Sequence, residues 1–152
     1  MNRQIMTTSL SGQELSQIVS EAVPDSVAEW NERDIFIKPE SWLKVARLLK
    51  EKAELDFAFL NAVTVVDYIE FFEVVYHLTS LRHNHSAVIK MRCYGREEPA
   101  VPSVVSIWQG ADFQEREAWD LMGVRFDGHP NLKRIMLWEG FPGHPQRKDF
   151  LR

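Results

Sequence analysis

The stretch Ala111–Arg134, ADFQEREAWDLMGVRFDGHPNLKR, constrains the fold more than any other. It reads as a helix ending at Gly123, a residue suited to the position just past a helix C-terminus. Glu115, Arg116, Glu117 and Asp120 place four charges within six residues. At about 100° per residue the first three fan over roughly 200° of the circumference. Ala118 and Leu121 fall close in angle to Glu117, while Trp119 and Met122 line up with Glu115. Charged and apolar side chains therefore share sectors that an ordinary amphipathic helix keeps apart. At least one of these charges is expected to lie against packed structure, where it needs a partner. Arg116 and Asp120 are spaced to pair at i, i+4. A solvated helix with local ion pairs satisfies the same pattern.

Upstream, the periodicities predict alternating helices and strands. Leu15, Ile18, Val19 and Ala22 give residues 12–23 a helical stripe, Ser11 with Glu14 fits a capping box, and Pro24 stops the helix. Ser26–Trp30 and Asp34–Lys38 read as short strands around the turn-prone Asn31-Glu32-Arg33. A second helix, about Glu40 to Lys52, has the stripe Trp42, Val45, Ala46 and Leu49, with Leu43 broadening the face. The continuous apolar run Phe57–Val66 predicts a strand buried on both faces, ended by Asp67-Tyr68. Phe71–Thr79 and Ala87–Tyr94 read as antiparallel strands around the polar loop Ser80–Ser86. Ile89, Met91 and Cys93 alternate with Lys90 and Arg92, which makes Cys93 a small core residue. Gly95–Pro102 reads as a linker. After the 111–123 helix come a turn at Asp127-Gly128-His129-Pro130, a short apolar run Ile135–Trp138 and an irregular end.

These elements make an α+β fold: an antiparallel sheet with two helices packed on it, then the charged helix and an extended C-terminal arm. Residues 1–98 are expected to form the α+β domain and 99–152 the helix and docking arm, within one structural unit. No window reaches the roughly 18–20 apolar residues that span a bilayer. Met1–Thr8 has one Arg and no apolar core, unlike a signal or transit peptide. The net charge of −4 divides unevenly: residues 133–152 carry +3 and the other 132 carry −7. An acidic body argues against nucleic-acid binding. A basic arm studded with Trp, Phe and Pro suits docking on another protein, and contact with its own domain explains the charge equally well.

Cys93 is the single cysteine, which rules out an internal disulfide, a paired-cysteine zinc site and an all-cysteine iron–sulfur centre. Neither G-x-G-x-x-G nor G-x-x-x-x-G-K-[ST] is present, so no nucleotide loop is predicted. The G-x-S-x-G and H-E-x-x-H patterns are also missing. His83 and His85 make a weak metal candidate on a loop. Glu115, Glu117 and Asp120 lack the Glu-x-x-His spacing of a di-iron site. Glu117 with His129 is a conceivable acid/base pair, set against a purely structural charge network.

Glu115-Arg116-Glu117, Asp120-Leu121-Met122, His129 and Lys133-Arg134-Ile135-Met136 together resemble the signature of one family. It is the C-subunit, or 30 kDa subunit, family of respiratory complex I (NADH:quinone oxidoreductase), with its photosynthetic NAD(P)H dehydrogenase-like relatives. The resemblance continues through Val101-Pro102-Ser103, Ile107-Trp108, Gly143-His144-Pro145 and Arg147-Lys148-Asp149-Phe150. Met122 departs from it where an aromatic is common, and Gln146 where an apolar residue is usual.

The resemblance implies a non-catalytic scaffold protein with no flavin, iron–sulfur cluster or nucleotide site of its own. Those cofactors and the quinone would sit on partner subunits. The partners implied are the D and B subunits, which form the quinone cavity and hold the terminal cluster, and the two-cluster ferredoxin-like subunit as a further neighbour. Membrane association would come through the complex only, on the cytoplasmic side of a bacterial inner membrane. Arg116, Arg134, Arg147 and Lys148 would be basic contacts of the arm, with Glu115, Glu117 and Asp120 completing ion-pair networks within the chain or across the interface. His129, Lys133, His144 and Asp149 complete the implied interface set. The rivals are the same subunit in a ferredoxin- or deazaflavin-linked complex or a membrane hydrogenase, a stand-alone acid/base enzyme using Glu117, Asp120 and His129, and a generic adaptor.

Overall fold

The computed structural model describes residues 7–151. The expectation that Met1–Thr8 is no targeting peptide concerns residues of which 1–6 lie outside that range. The chain runs β1 (Thr8–Ser9), α1 (Gly12–Ala22), β2 (Val27–Trp30), β3 (Asp34–Ile37), a 3-10 turn (Pro39–Ser41) and α2 (Trp42–Glu51). It continues through β4 (Phe59–Asp67), β5 (Phe72–Ser80), β6 (His85–Cys93), β7 (Ala100–Pro102), α3 (Ala111–Met122) and β8 (Arg125–Asp127). No helix among the described residues is long and apolar enough to cross a membrane.

Local chemistry sets most of these boundaries. The Ser11 hydroxyl accepts the Glu14 N–H at 3.2 Å and caps α1. In the β2–β3 turn the Asn31 side-chain oxygen accepts the N–H groups of Arg33 and Asp34 at 2.9 and 2.8 Å, an Asx turn. The start of α1 is pressed against that turn. A Cβ at Gly12 would lie 2.1 Å from the Asn31 carbonyl oxygen and 2.3 Å from that of Asp34, so only glycine fits. In α2, Trp42, Val45, Ala46 and Leu49 are all fully buried, as their spacing predicts. Leu43 does not join them; it stays largely exposed.

The α+β class holds, but the sheet is mixed. Its order is β2-β3-β6-β5-β4, with β1 beside β6. β2–β3, β4–β5 and β5–β6 are antiparallel, while β3–β6 and β1–β6 are parallel. The parallel pairs join strands distant in sequence, which hairpin patterns cannot reveal. The doubly buried strand is β5, not β4. Phe72 through Tyr76 are buried without a break, whereas β4 is an edge strand whose Phe59 and Val66 face outward. A short apolar run does not distinguish these two situations.

One hydrophobic cluster holds the elements together. It runs from Leu15 and Val19 of α1 through Trp42 and Leu49 of α2 to Ala118 and Met122 of α3. Every second residue of β6 from Ala87 to Cys93 also belongs to it. Trp42 packs on Tyr76 at 4.7 Å and Trp108 at 6.3 Å between ring centroids. The 111–123 helix is thus a third helix on the sheet, seated beside β4. The expected linker Gly95–Pro102 ends as β7, which pairs parallel with β8 and brackets α3 at both ends.

Gly12→Ala is expected to destabilise the fold by about 1–3 kcal/mol through overpacking of backbone on backbone. Thermal unfolding followed by circular dichroism checks this, with a Tm lowered by roughly 2–4 °C per kcal/mol for a chain this size.

Candidate functional site

α3 carries the signature charges between two different neighbours. One side faces the sheet and β7, the other faces residues 132–147, which contain no regular secondary structure. This double contact explains why charged and apolar residues share sectors. Gly123 ends the helix in the left-handed region at φ +78°. A Cβ there would also meet the His144 ring at 2.8 Å, so the glycine lets the arm fold back over the helix end.

Glu115 is fully buried. Its two oxygens accept the Ser103 hydroxyl at 2.6 Å and the Val104 N–H at 2.8 Å. Burial pushes its carboxyl above the ordinary glutamate range, against the pull of those two donors. The effect is to tie the turn after β7 to the middle of α3.

Asp120 is buried on the opposite side. Oδ1 accepts Arg134 Nη1 at 2.6 Å, and Oδ2 accepts the N–H groups of Ile135, Met136 and Leu137 at 3.1, 2.8 and 2.9 Å. Burial works to raise this carboxyl, but Arg134 and the three amides outweigh it and hold it below the usual aspartate range. Arg134 also donates through Nη2 to the carbonyls of Phe141 and Gly143 at 2.7 and 2.8 Å. Its guanidinium carbon lies 5.5 Å from the Trp119 ring centre. His144 donates from Nδ1 to the Asp120 carbonyl at 2.9 Å and meets Trp119 edge-on. The predicted i, i+4 pair of Arg116 with Asp120 is not formed. Arg134 takes that carboxylate, and Arg116 donates to the carbonyls of Lys133 and Arg134 at 3.2 and 3.4 Å.

A second charge cluster fixes the end of the arm. Arg96 makes a forked pair with buried Asp67 at 2.6 and 2.9 Å. It also reaches Asp149 at 3.0 Å, and Arg147 donates to Asp149 at 2.8 and 2.9 Å. Lys148 contributes its backbone N–H to Asp67 at 2.9 Å, leaving its side chain exposed. The Arg96 and Arg147 guanidinium carbons lie 4.6 and 5.0 Å from the centre of the buried Phe72 ring. The Arg96 guanidinium holds the Asp67 carboxyl far below its ordinary value. Arg147, with Arg96, lowers Asp149 to about 2. Sequence reasoning misses Asp67 and Arg96. One reads as a strand terminus and the other as part of a linker, and only their proximity reveals the role. Ser103 does lie in a signature motif, Val101-Pro102-Ser103.

Glu117 and His129 do not meet. Glu117 is exposed. His129, its side chain fully buried, places Nε2 3.0 Å from the Asp112 carboxylate, and its Nδ1 accepts the Asn131 N–H at 2.9 Å. His83 and His85 stack at 5.4 Å, with Nε2 of each on the carbonyl of Ala53 or Leu55, so they pin the β5–β6 turn to the loop after α2. Cys93 is buried, which raises its thiol pKa, and lies 3.3 Å from the Ala100 carbonyl. A cleft of about 450 Å³ beside Phe36, Arg92 and Cys93 contains none of the signature residues.

Breaking the Asp120 pair with Asp120→Ala is expected to cost about 3 kcal/mol, because it strands the half-buried Arg134 and three amides. Urea unfolding at neutral pH measures it. Asp120 has a depressed folded-state pKa, so its contribution is present above the unfolded value near 4 and lost as pH falls through the folded one. Glu115, shifted upward, contributes with the opposite sign. The acid limb of stability against pH is therefore expected to be shallower in Asp120→Ala and steeper in Glu115→Gln.

A family model described as the respiratory-chain NADH dehydrogenase 30 kDa subunit matches residues 35–152. The chain is 46% identical over 117 residues to an NADH-quinone oxidoreductase C-subunit (C 2) of Rhizobium meliloti (strain 1021), covering 75% of this chain and 63% of that protein. It is 40% identical over 135 residues to the NADH-quinone oxidoreductase C-subunit of Roseiflexus sp. (strain RS-1), covering 84% and 77%. The chain thus spans less than two thirds of the length of the Rhizobium relative. Among solved structures it resembles a chain of the membrane-bound sulfane sulfur reductase, an archaeal respiratory membrane complex. That match has a TM-score of 0.71 and 29% identity, over 91% of this chain and 85% of the other. The match over residues 35–152 takes in α3, both charge clusters and the arm, and by it the chain belongs to the family of the 30 kDa subunit of respiratory-chain NADH dehydrogenase.

Proposed function

We propose that this chain is a non-catalytic scaffold subunit of the peripheral arm of a proton-translocating NADH:quinone oxidoreductase. Its task is to hold the subunits around the terminal iron–sulfur cluster and the quinone site in register. The observation that carries this reading is the use made of the signature side chains. Asp120, Arg134, His144, Arg147 and Asp149 use their polar groups to fix the arm's shape, and Glu115 holds the turn after β7 to α3. Fixed this way, the arm keeps Met136 and Trp138 outside, 62% and 65% exposed. Exposed Met and Trp side chains on a preorganised segment suit burial in a protein interface.

In this reading the flavin, the clusters and the quinone are held by neighbouring chains. The D and B subunits are the immediate partners, with the two-cluster ferredoxin-like subunit as a further neighbour. The complex would hold the chain at the cytoplasmic side of a bacterial membrane. A second reading is favoured by the likeness to the archaeal sulfane sulfur reductase complex: the equivalent subunit of a membrane respiratory complex with a different electron donor or acceptor.

Affinity purification in mild detergent from native membranes, with this chain as bait, tests the proposal. Co-purifying membrane chains with iron–sulfur absorbance are expected, since Cys93 alone cannot ligate such a cluster. A colourless monomer would count against both readings. Arg134→Ala and Arg147→Ala are expected to reduce the recovered complex by releasing the arm, while whatever complex does assemble keeps its turnover per cluster. Full recovery in both variants would remove the docking role of the arm.

A further inference from the structure

The cations of the signature region and its neighbour Arg96 differ in their partners, and the Lys148 side chain stands exposed without a carboxylate among the described residues. Arg134, Arg147 and Arg96 each face a carboxylate of this chain within 3.0 Å. Arg116 and Lys133 face none among the described residues, and both line a recess of about 370 Å³ between α3 and the arm. Arg116 is half-buried. A guanidinium has five N–H donors, and Arg116 uses Nε and one N–H of Nη2 on backbone carbonyls. Its outer edge, Nη1 with the remaining Nη2 hydrogen, is left in the geometry that grips a carboxylate with two parallel bonds. The Phe113 ring, 63% exposed, lies 5.7 Å from the guanidinium carbon, within cation–π range. Trp119, Leu132 and Leu137 line it as well and suit an aliphatic stem, and Arg134, already paired with Asp120, and Gly140 complete the lining with Glu139. Glu139 is exposed and forms no ion pair with either cation among the described residues.

We propose that this recess receives an aspartate or glutamate side chain of a neighbouring subunit, its carboxylate held by Arg116 and Lys133 and its stem by Trp119 and Leu137. The inference rests on the subunit reading above and deepens it: Arg134 and Arg147 shape the arm, while Arg116 and Lys133 recognise the partner. Charge complementarity decides the occupant. A half-buried guanidinium lining a recess fits one inserted side chain, whereas a lipid surface needs cations standing clear of the protein.

The test is zero-length carbodiimide cross-linking of the purified native complex, with the joined peptides identified by mass spectrometry. This reagent couples an amine to a carboxylate only when the two touch. Lys38 and Asp25, 2.7 Å apart on the surface, serve as the internal control. The expected product joins Lys133 to an Asp or Glu of a co-purifying chain. Lys133→Arg, which keeps the charge but has no amine for the reagent to couple, is expected to remove the link. Arg116→Gln is expected to lower the link yield about fivefold, the effect of a single ion pair of this exposure. A complex that assembles and shows the Lys38–Asp25 link, but joins Lys133 to nothing or only to Glu139 of its own chain, would overturn the recess proposal alone. Shielding of Lys133 from acetylation by phosphatidylglycerol vesicles, with no such link, would overturn it in favour of a lipid headgroup. Failure of any chain to co-purify would overturn the subunit reading and this proposal together.

Discussion

Asp120 is the point on which the C-terminal third of the molecule depends. One carboxylate, buried in α3, satisfies a guanidinium and three consecutive backbone amides, and its carbonyl holds His144. The three amides belong to a segment with no ladder of its own. Without the carboxylate they would need water at a place where the arm packs on the helix. Arg134 then carries the same restraint forward to Phe141 and Gly143. A chain of polar contacts thus replaces the hydrogen bonds that a helix or strand would have supplied, and an irregular arm acquires a defined path.

The second cluster does the same work further along. Asp67, Arg96, Asp149 and Arg147 alternate in charge, so each acid meets at least one guanidinium and Arg96 lies between two acids. Phe72 lies against both arginines. Ion pairs on a protein surface contribute little individually, but Asp67 is buried and its pair is forked, which raises both its strength and its geometric demand. The arm is therefore tied at Arg134 and again at Arg147, and the stretch between them is held with Met136 and Trp138 exposed. Preorganisation of this kind lowers the ordering cost of association, which is the physical sense in which a chain can act as a scaffold.

Several features are legible in the residues alone. The α1 stripe through Leu15 and Val19 (though not the expected Ala22, which is exposed), the α2 stripe, the β5–β6 hairpin, the alternation that buries Cys93 and the end of α3 at Gly123 follow from periodicity and capping. The unusual angular mixing of Glu115, Asp120 and the apolar residues of α3 correctly signals buried charge. The discrepancies have a common cause. Local pattern reads β4 as buried on both faces and Arg116 as the partner of Asp120, because it reports neither strand position nor competition from distant residues. The parallel pairing of β3 with β6 escapes it for the same reason.

By itself, the sequence determined that this is an α+β chain with one lone thiol, a basic arm and a helix whose charges need partners. It also carried a motif dense enough to place the chain in its family. Those properties are local, written in spacing and composition. Only the tertiary structure decided which partner each charge takes. Asp120 chooses Arg134, fourteen residues away, over Arg116 on its own helix, and Asp67 chooses Arg96 and the backbone of Lys148. Charge alone does not name a partner, so many pairings satisfy the same sequence. Packing of the arm against α3 and the edge of the sheet selects one, and in doing so leaves Arg116 and Lys133 without an anion among the described residues of their own chain.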